Sequence, residues 1–144
     1  MEARVLTPGD EGLLAAAAAI GDEDNPGDAR CLQLLADPCF VAAVALEGDQ
    51  PIGFTYGHVL PQMSRTALLI YSVDTDAEHR QRGAATAMID ALRRLSIERG
   101  YYEMWVLTSA ANEPAMRLYA KSGGLRETCD DVMWVFPLRP SSYA

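Results

Sequence analysis

The sequence predicts one three-layer α/β domain, in which a mixed central sheet lies between helices on both faces. The first observation is the length, because 144 residues suit one compact domain. The second is the order of the predicted elements, β-α-α-β-β-β-α-β-α-β, which combines a hairpin with β-α-β crossovers. No repeat, linker or low-complexity segment interrupts this order. Residues 1–144 are therefore interpreted as a single domain.

Turn and cap residues divide the first half of the chain into its elements. Pro8 and Gly9 end a short strand, and Asp10 is predicted to cap the alanine-rich helix that follows. Asp28 is predicted to cap a second helix, which Pro38 ends. Two apolar runs around a Gly-Asp-Gln turn then indicate an antiparallel hairpin. The predicted elements are a strand at 4–7, helices at 10–20 and 28–37, and strands at 40–46 and 52–60.

Strands and helices alternate in the second half of the chain. A β-leaning apolar run leads into a charged loop at 74–82, and a helix follows that loop. Ala85, Met88, Ile89 and Leu92 lie on one stripe of that helix, which is typical of a helix that packs on a sheet. The predicted elements are a strand at 67–73, a helix at 83–98, a strand at 102–107, a helix at 113–121 and a last strand at 132–136.

The charge excludes one class of partner and favours another. The formal net charge is −8, whereas binding to nucleic acid or to an anionic membrane needs a basic surface. Residues 1–76 carry a net −9 and residues 77–144 a net +1. The first half therefore suits a cationic small-molecule partner, although acids that only keep the protein soluble would give the same count.

The cysteines and histidines indicate neither a disulfide framework nor a metal site. The three cysteines are an odd, widely spaced set without a CxxC pair, and the two histidines lack zinc-site spacing. The apolar run at 13–20 is too short to span a bilayer, and no basic segment precedes it. We expect a cytoplasmic protein without a metal.

The joint between the strand at 67–73 and the next helix has the features of an anion site. Small residues at a helix start leave backbone N–H groups unobstructed, and Arg80 and Arg82 add positive charge. Thr86 adds a hydroxyl donor. The spacing fits neither GxGxxG nor GxxxxGK[ST], which excludes the Rossmann and P-loop motifs. A phosphate or pyrophosphate is the predicted ligand, and a solvated basic helix start is the alternative.

Two motifs resemble those of the GNAT superfamily of acetyl-CoA-dependent N-acetyltransferases. Arg80-x-x-Gly83-x-Ala85 is similar to its [Q/R]-x-x-G-x-[G/A] signature. The run from Asn112 to Gly123 resembles its N-x-x-A-x-x-L-Y-x-K-x-G helix. The resemblance covers roughly residues 32–136. It implies a GNAT-type domain that uses acetyl-CoA as acetyl donor.

The resemblance also implies where acetyl-CoA binds. The strand before the phosphate loop carries a bulge and splays from the next strand, and pantetheine lies in the gap. The pyrophosphate lies on backbone amides, Asn112 contacts the pantetheine arm, and the thioester lies beside Tyr119. The implied cofactor-binding residues are Val73, Thr75, Arg80, Gln81, Arg82, Gly83, Ala84, Ala85, Thr86, Asn112 and Tyr119.

Acetyl transfer to an amine needs an acid and a neutral nucleophile. A phenol can donate a proton to a departing thiolate, since tyrosine titrates near ~10 and a thiol near ~8.5. Tyr119 is the predicted acid, and a packing role beside Ala115 and Leu118 is the alternative. The Val73 backbone N–H is the predicted oxyanion donor. Asp74 is the best candidate base, with Asp130 and Asp131 as alternatives.

Within the superfamily, the chain looks most like the small aminoglycoside 3-N-acetyltransferases. The resembling runs are 59–61, 78–80 and 118–121. The implied acceptor cleft lies between the first helices and the later strands. Two departures are Ser72, where that group has an aspartate, and a segment at 107–112 without acids. They leave polyamines, a protein N-terminus or a silent acyl-CoA sensor open. Family members often form dimers, so a homodimer is a further expectation. The candidate acceptor residues are Asp22, Glu23, Asp24, Asp130 and Asp131.

Overall fold

A computed structural model describes residues 1–139 of the chain. Five strands form one mixed sheet in the order β1-β2-β3-β4-β5. Neighbours from β1 to β4 are antiparallel, and β5 is parallel to β4. The strands are β1 (Glu2–Val5), β2 (Phe40–Glu47), β3 (Gln50–Pro61), β4 (Thr66–Thr75) and β5 (Glu103–Val106). The helices are α1 (Glu11–Ala18), α2 (Asp28–Ala36), α3 (Ala84–Glu98) and α4 (Glu113–Lys121).

The predicted three-layer architecture is confirmed, and the side chains of β2 show how it forms. Successive strand residues point to opposite faces of a sheet. Ala42 and Val44 lie in the apolar cluster formed with α1 and α2. Val41 and Ala43 lie in the cluster on the other face, which includes Leu92 of α3. This continuous apolar run buries a strand on both faces, so helices cover the sheet on both sides.

Asp10 occupies the cap position of α1 as predicted, although its side chain makes no capping hydrogen bond, and the predicted cap at Asp28 is wrong. The carboxylate of Asp10 accepts two 2.9 Å hydrogen bonds from the Arg4 guanidinium and one of 2.8 Å from the Thr7 N–H. It therefore fastens β1 to the start of α1 rather than capping the helix, and its partners lower its pKa to about 2. Gly27 occupies the cap position of α2, and Asp28 is the first residue of that helix.

The predicted last strand at 132–136 is also wrong. Residues 125–139 form no helix or strand, and the side chains of Val132, Trp134 and Phe136 are 77%, 81% and 84% exposed. A strand needs a partner edge as well as β-leaning residues, and here the segment pairs with no strand of the sheet. Within residues 1–139, β5 is the last strand. No helix in that range is both long and apolar enough to cross a membrane.

Candidate active site

β4 extends well beyond the end of β5. β5 pairs with β4 only between Ala67 and Ile70, whereas β4 continues to Thr75. The last part of β4 therefore has no strand beside it on the β5 side within the described residues. Val73 and Thr75 of this part line a cavity. This free edge of β4 fits the pantetheine position that the sequence resemblance implied, and the splay of the two strands stays a prediction.

β4 carries a bulge just before its unpaired part. Tyr56 of β3 pairs with Ser72 and Gly57 pairs with Ile70, so Tyr71 is an extra residue without a partner in β3. The two backbones approach so closely that a Cβ at Gly57 would lie 2.2 Å from the carbonyl oxygen of Leu69. The hydroxyl of the fully buried Thr55 donates a 2.7 Å hydrogen bond to the Ser72 carbonyl, which fixes the strand beyond the bulge.

The start of α3 has the backbone geometry of an anion site. Helical hydrogen bonding begins at Ala87, whose N–H donates to the Gly83 carbonyl at 3.0 Å. The N–H groups of Ala84, Ala85 and Thr86 precede it and have no helical acceptor, and these three residues line the cavity. Gly83 adopts a φ of 86°, which favours glycine because an L side chain is strained there. The helix therefore presents free donors and its positive end to the cavity.

The loop that precedes α3 is held by a histidine whose role sequence reasoning missed. Nδ1 of His79 lies 2.6 Å from Asp76 Oδ2, and Nε2 lies 3.1 Å from Glu47 Oε2. These contacts fasten the loop to the end of β2. Arg80 and Gln81 line the cavity, whereas the Arg82 guanidinium lies 3.7 Å from Glu47. No short-range pattern connects residues 47 and 79, so only the fold reveals this contact.

The cavity has a volume of about 950 Å³ and combines an acidic wall with the anion-binding end of α3. Asp22, Asp74 and Asp76 line it together with Tyr119. A site of this size accommodates a drug-sized ligand. The free strand edge and the helix amides suit an elongated donor with a phosphate group, and the carboxylates suit a cationic acceptor.

Burial and charge shift the pKa values of the two candidate catalytic residues. Burial raises the pKa of Asp74, and the carboxylates of Asp22 and Glu23 add to this shift. The Ser72 hydroxyl acts in the opposite direction, although it makes no hydrogen bond of ordinary geometry. Burial also raises the pKa of Tyr119, with a further contribution from Asp74. Tyr119 therefore holds its proton at neutral pH, and Asp74 is a stronger base than an exposed aspartate.

A family model for acetyltransferases matches residues 13–124, which is well over half of the chain. The chain belongs to the acetyltransferase (GNAT) family. Acetyltransferases of this family take the acetyl group from acetyl-CoA, so the domain is an acetyl-CoA-dependent N-acetyltransferase by class. The free edge of β4 suits the elongated arm of acetyl-CoA, and the backbone amides at the start of α3 suit its phosphate groups.

Solved structures of GNAT enzymes share this fold over almost the whole chain. HMB0005, an aminoglycoside acetyltransferase from an uncultured soil metagenomic sample, is 30% identical and has a TM-score of 0.81. The match covers 96% of this chain and 98% of that protein. The metagenomic aminoglycoside acetyltransferase meta-AAC0020, solved with sisomicin, has a TM-score of 0.83 over 96% of both chains. At 20% identity it shows the fold alone.

A curated relative of this GNAT domain acts on a small diamino acid. L-2,4-diaminobutyric acid acetyltransferase of Streptomyces coelicolor (strain ATCC BAA-471 / A3(2) / M145) is 36% identical over 80 residues. The match covers 54% of this chain and 46% of that protein. The chain thus spans about half the length of this relative.

The fold brings only part of the predicted acceptor set to the GNAT cavity. Asp22 lines it, while Glu23 and Asp24 are exposed in the neighbouring loop. Asp130 and Asp131 lie in the exposed segment after α4 and do not line the cavity. Asn112 lines the cavity, but its side-chain oxygen also caps α4 by accepting from the Ala115 N–H at 3.2 Å. Among residues 1–139, no group of three metal-ligating side chains is present.

Proposed function

We propose that this enzyme acetylates a primary amine of a cationic small molecule, and that an aminoglycoside, modified at its 3-amino group, is the preferred acceptor. The observation that carries the proposal is the cavity in which Asp22 and Asp74 lie beside Tyr119, next to the free edge of β4. A polycationic amine is attracted to that acidic wall. The likeness to aminoglycoside acetyltransferases, one solved with sisomicin, supports this acceptor class.

The donor is held by chain features at both ends of the cavity. The backbone of Val73 and Thr75 binds the pantetheine arm along the free strand edge, and Asn112 contacts it from α4. The amides from Gln81 to Thr86 and the side chain of Arg80 bind the pyrophosphate. Arg82 lies outside the lining, with its guanidinium 3.7 Å from Glu47, and adds positive charge to the loop. Acetyl-CoA supplies an acetyl group that its thioester activates for attack.

Three groups of the chain handle protons and charge during the transfer. Asp74 accepts a proton from the acceptor ammonium, which leaves a neutral amine to attack the carbonyl carbon. The Val73 N–H donates a hydrogen bond to the carbonyl oxygen as negative charge develops there. Tyr119 donates its phenolic proton to the sulfur as the carbon–sulfur bond breaks, and the resulting phenolate takes the proton that the acetylated nitrogen loses. The raised pKa of Tyr119 keeps it protonated until that step.

A smaller diamine is the second candidate acceptor. The relative that acts on L-2,4-diaminobutyric acid favours it, because that compound also presents a primary amine near other charged groups. Polyamines and a protein N-terminus are further alternatives within the same chemistry. An acyl-CoA sensor without turnover is the alternative outside it.

A homodimer and a cytoplasmic location complete the proposal. The exposed apolar side chains of residues 132–138 support a dimer, because a second copy would remove them from water. Light scattering coupled to size-exclusion chromatography measures the mass directly. The exposed thiols of Cys39 and Cys129 support a reducing compartment, since both are free.

The deciding experiment measures thiol release from acetyl-CoA with aminoglycosides, diamino acids, polyamines and short peptides in parallel. We expect the highest kcat/KM with aminoglycosides, and Tyr119→Phe should lower kcat about 10- to 100-fold while the Kd of acetyl-CoA stays unchanged. Tyr102→Phe is the matched control, because that ring is 62% exposed and lies outside the cavity. Turnover only with another amine would keep the enzyme class and reject the aminoglycoside. Acetyl-CoA binding without any turnover would favour the sensor.

A further inference from the structure

A row of aromatic rings crosses the sheet face beside the cavity without entering it. The ring of Phe54 stacks on Tyr56 with centroids 5.5 Å apart, and Tyr56 lies 5.2 Å from Tyr71. His58 lies 6.3 Å from Tyr71 at a steep angle. Phe40 lies 5.9 Å from Tyr56 on the other side of the row. None of these rings lines the cavity, so this aromatic row is a separate surface.

The row runs from a buried end to an exposed end. Phe54 is 3% exposed and belongs to the core beneath α1 and α2. Tyr71 is 63% exposed although β4 lies inside the sheet. The bulge accounts for this position, because Tyr71 is the extra residue that it inserts between the paired residues Ile70 and Ser72. The chain therefore holds an exposed ring on the same strand that lines its catalytic cavity.

Carboxylates border the aromatic row. The Tyr56 hydroxyl donates a 2.9 Å hydrogen bond to Glu23 Oε1. Asp74 pairs with Phe54 across β3 and β4, which places it on the same face as the rings. In residues 1–139, the only arginine or lysine stacked on a ring is Arg65, on the distant Tyr102. Exposed rings with an acidic border suit a ligand that has both an apolar ring face and ammonium groups.

The spacing along β4 sets the size of such a ligand. Tyr71 and Asp74 are three positions apart along the strand, which corresponds to about 10 Å. That distance exceeds the width of one six-membered ring. A ligand that reacts beside Asp74 and also covers Tyr71 must therefore be longer than one ring, and the flat face of the phenol favours a second ring over a linear chain at that position.

We propose that Tyr71, flanked by Tyr56 and His58, is a subsite for a second ring of the acceptor and selects cationic acceptors with two or more linked saturated rings. This inference rests on the proposed function and names a specificity residue for it. One ring presents its amine to Asp74 and Tyr119, while the other lays its C–H face on Tyr71. Linear polyamines, diamino acids and single-ring amines gain nothing from this contact.

The test compares Tyr71→Ala and Tyr71→Phe with three acceptors: sisomicin, its central ring 2-deoxystreptamine alone, and spermidine. Tyr71→Ala should raise the KM of sisomicin about five- to tenfold and change kcat less than about twofold. Tyr71→Phe keeps the ring and should behave like the wild type. Neither variant should change KM for the other two acceptors or for acetyl-CoA. Tyr102→Ala is the control, because it removes an equally exposed ring elsewhere.

Two results would overturn the subsite. One is an unchanged KM of sisomicin in Tyr71→Ala, and the other is an equal rise with the single-ring and linear amines. If the wild type acetylates none of the three acceptors, the proposed function fails. Calorimetric titration of sisomicin into the CoA-bound protein then tests the Tyr71 subsite independently of turnover. Binding that Tyr71→Ala weakens and Tyr71→Phe does not would support it. Absence of binding to the wild type would reject both proposals.

Discussion

The hydroxyl of Tyr56 donates a hydrogen bond of 2.9 Å to Oε1 of Glu23, a residue 33 positions earlier in the chain. This contact ties the acidic loop after α1 to the middle of β3. Burial and the nearby carboxylate both raise the pKa of Tyr56, so its phenol remains a donor at neutral pH. Glu23 is thereby held beside the cavity that Asp22 and Asp74 line.

We expect Tyr56→Phe to raise the KM of the acceptor about two- to fivefold with little change in kcat, because the ring stays and only the hold on Glu23 is lost. Glu23→Gln should have a similar effect, and the double variant should be no worse than either single one. Steady-state kinetics of the four proteins measures this coupling. Additive effects of the two substitutions would show that Tyr56 does not act through Glu23.

The ionised carboxylate of Asp74, which the proposed mechanism uses as a base, should lower the free energy of unfolding. Its pKa is raised above its ordinary 3.8, so the folded protein binds this proton more tightly than the unfolded chain does. Ionised Asp74 therefore lowers the free energy of unfolding, and this loss grows as pH rises from about 4 through the folded-state pKa. Asp74→Asn removes the charge while it keeps the shape.

Urea denaturation should therefore find Asp74→Asn more stable than the wild type at pH 7, with a difference that shrinks toward pH 4. Its kcat/KM should fall at the same time. Asp24→Asn is the matched control, since that carboxylate is exposed in the same acidic region and should change stability little. A variant that is less stable at pH 7 would contradict the assigned burial of Asp74.

Local signals predicted the parts of the site that lie close together in sequence. The observed bounds of α4, Glu113–Lys121, match the predicted helix at 113–121. The start of α3 was predicted within one residue from its small side chains and arginines. Such features depend on neighbours within one or two helical turns, which a sequence pattern records directly.

The remaining features depend on contacts between distant segments. Two side-chain contacts join residues 32 and 33 positions apart, namely His79 with Glu47 and Tyr56 with Glu23. The aromatic row arises only because the bulge turns Tyr71 toward Tyr56. The prediction of a last strand is wrong for the same reason, since residues 132–136 have strand composition but no partner edge in the described structure. The pairing register decides these features, and composition does not.

Gly57 should be needed for the bulge itself. A Cβ there would lie 2.2 Å from the backbone oxygen of Leu69, and backbone cannot move aside cheaply. Gly57→Ala should lower the free energy of unfolding by about 2–3 kcal/mol. Gly53→Ala is the control in the same strand, because its Cβ would meet the flexible end of Met88 at 2.9 Å. We expect a loss of about 1 kcal/mol there. Equal losses in urea denaturation would mean that the strands tolerate a side chain at the bulge.

Gly83 should matter for the donor, and its role can be separated from its backbone strain. Gly83 and Gly100 adopt φ values of 86° and 73°, and a Cβ at either would enter open space. Alanine at each position should therefore cost a similar stability of about 1 kcal/mol. Only Gly83→Ala should raise the KM of acetyl-CoA, by about tenfold, because relaxing its φ turns the free amides of Ala84 to Thr86 away from the pyrophosphate. Gly100 follows α3 at the opposite end and serves as the control. Steady-state kinetics over a range of acetyl-CoA concentrations makes the comparison, and a similar rise in both variants would remove the helix start from the donor site.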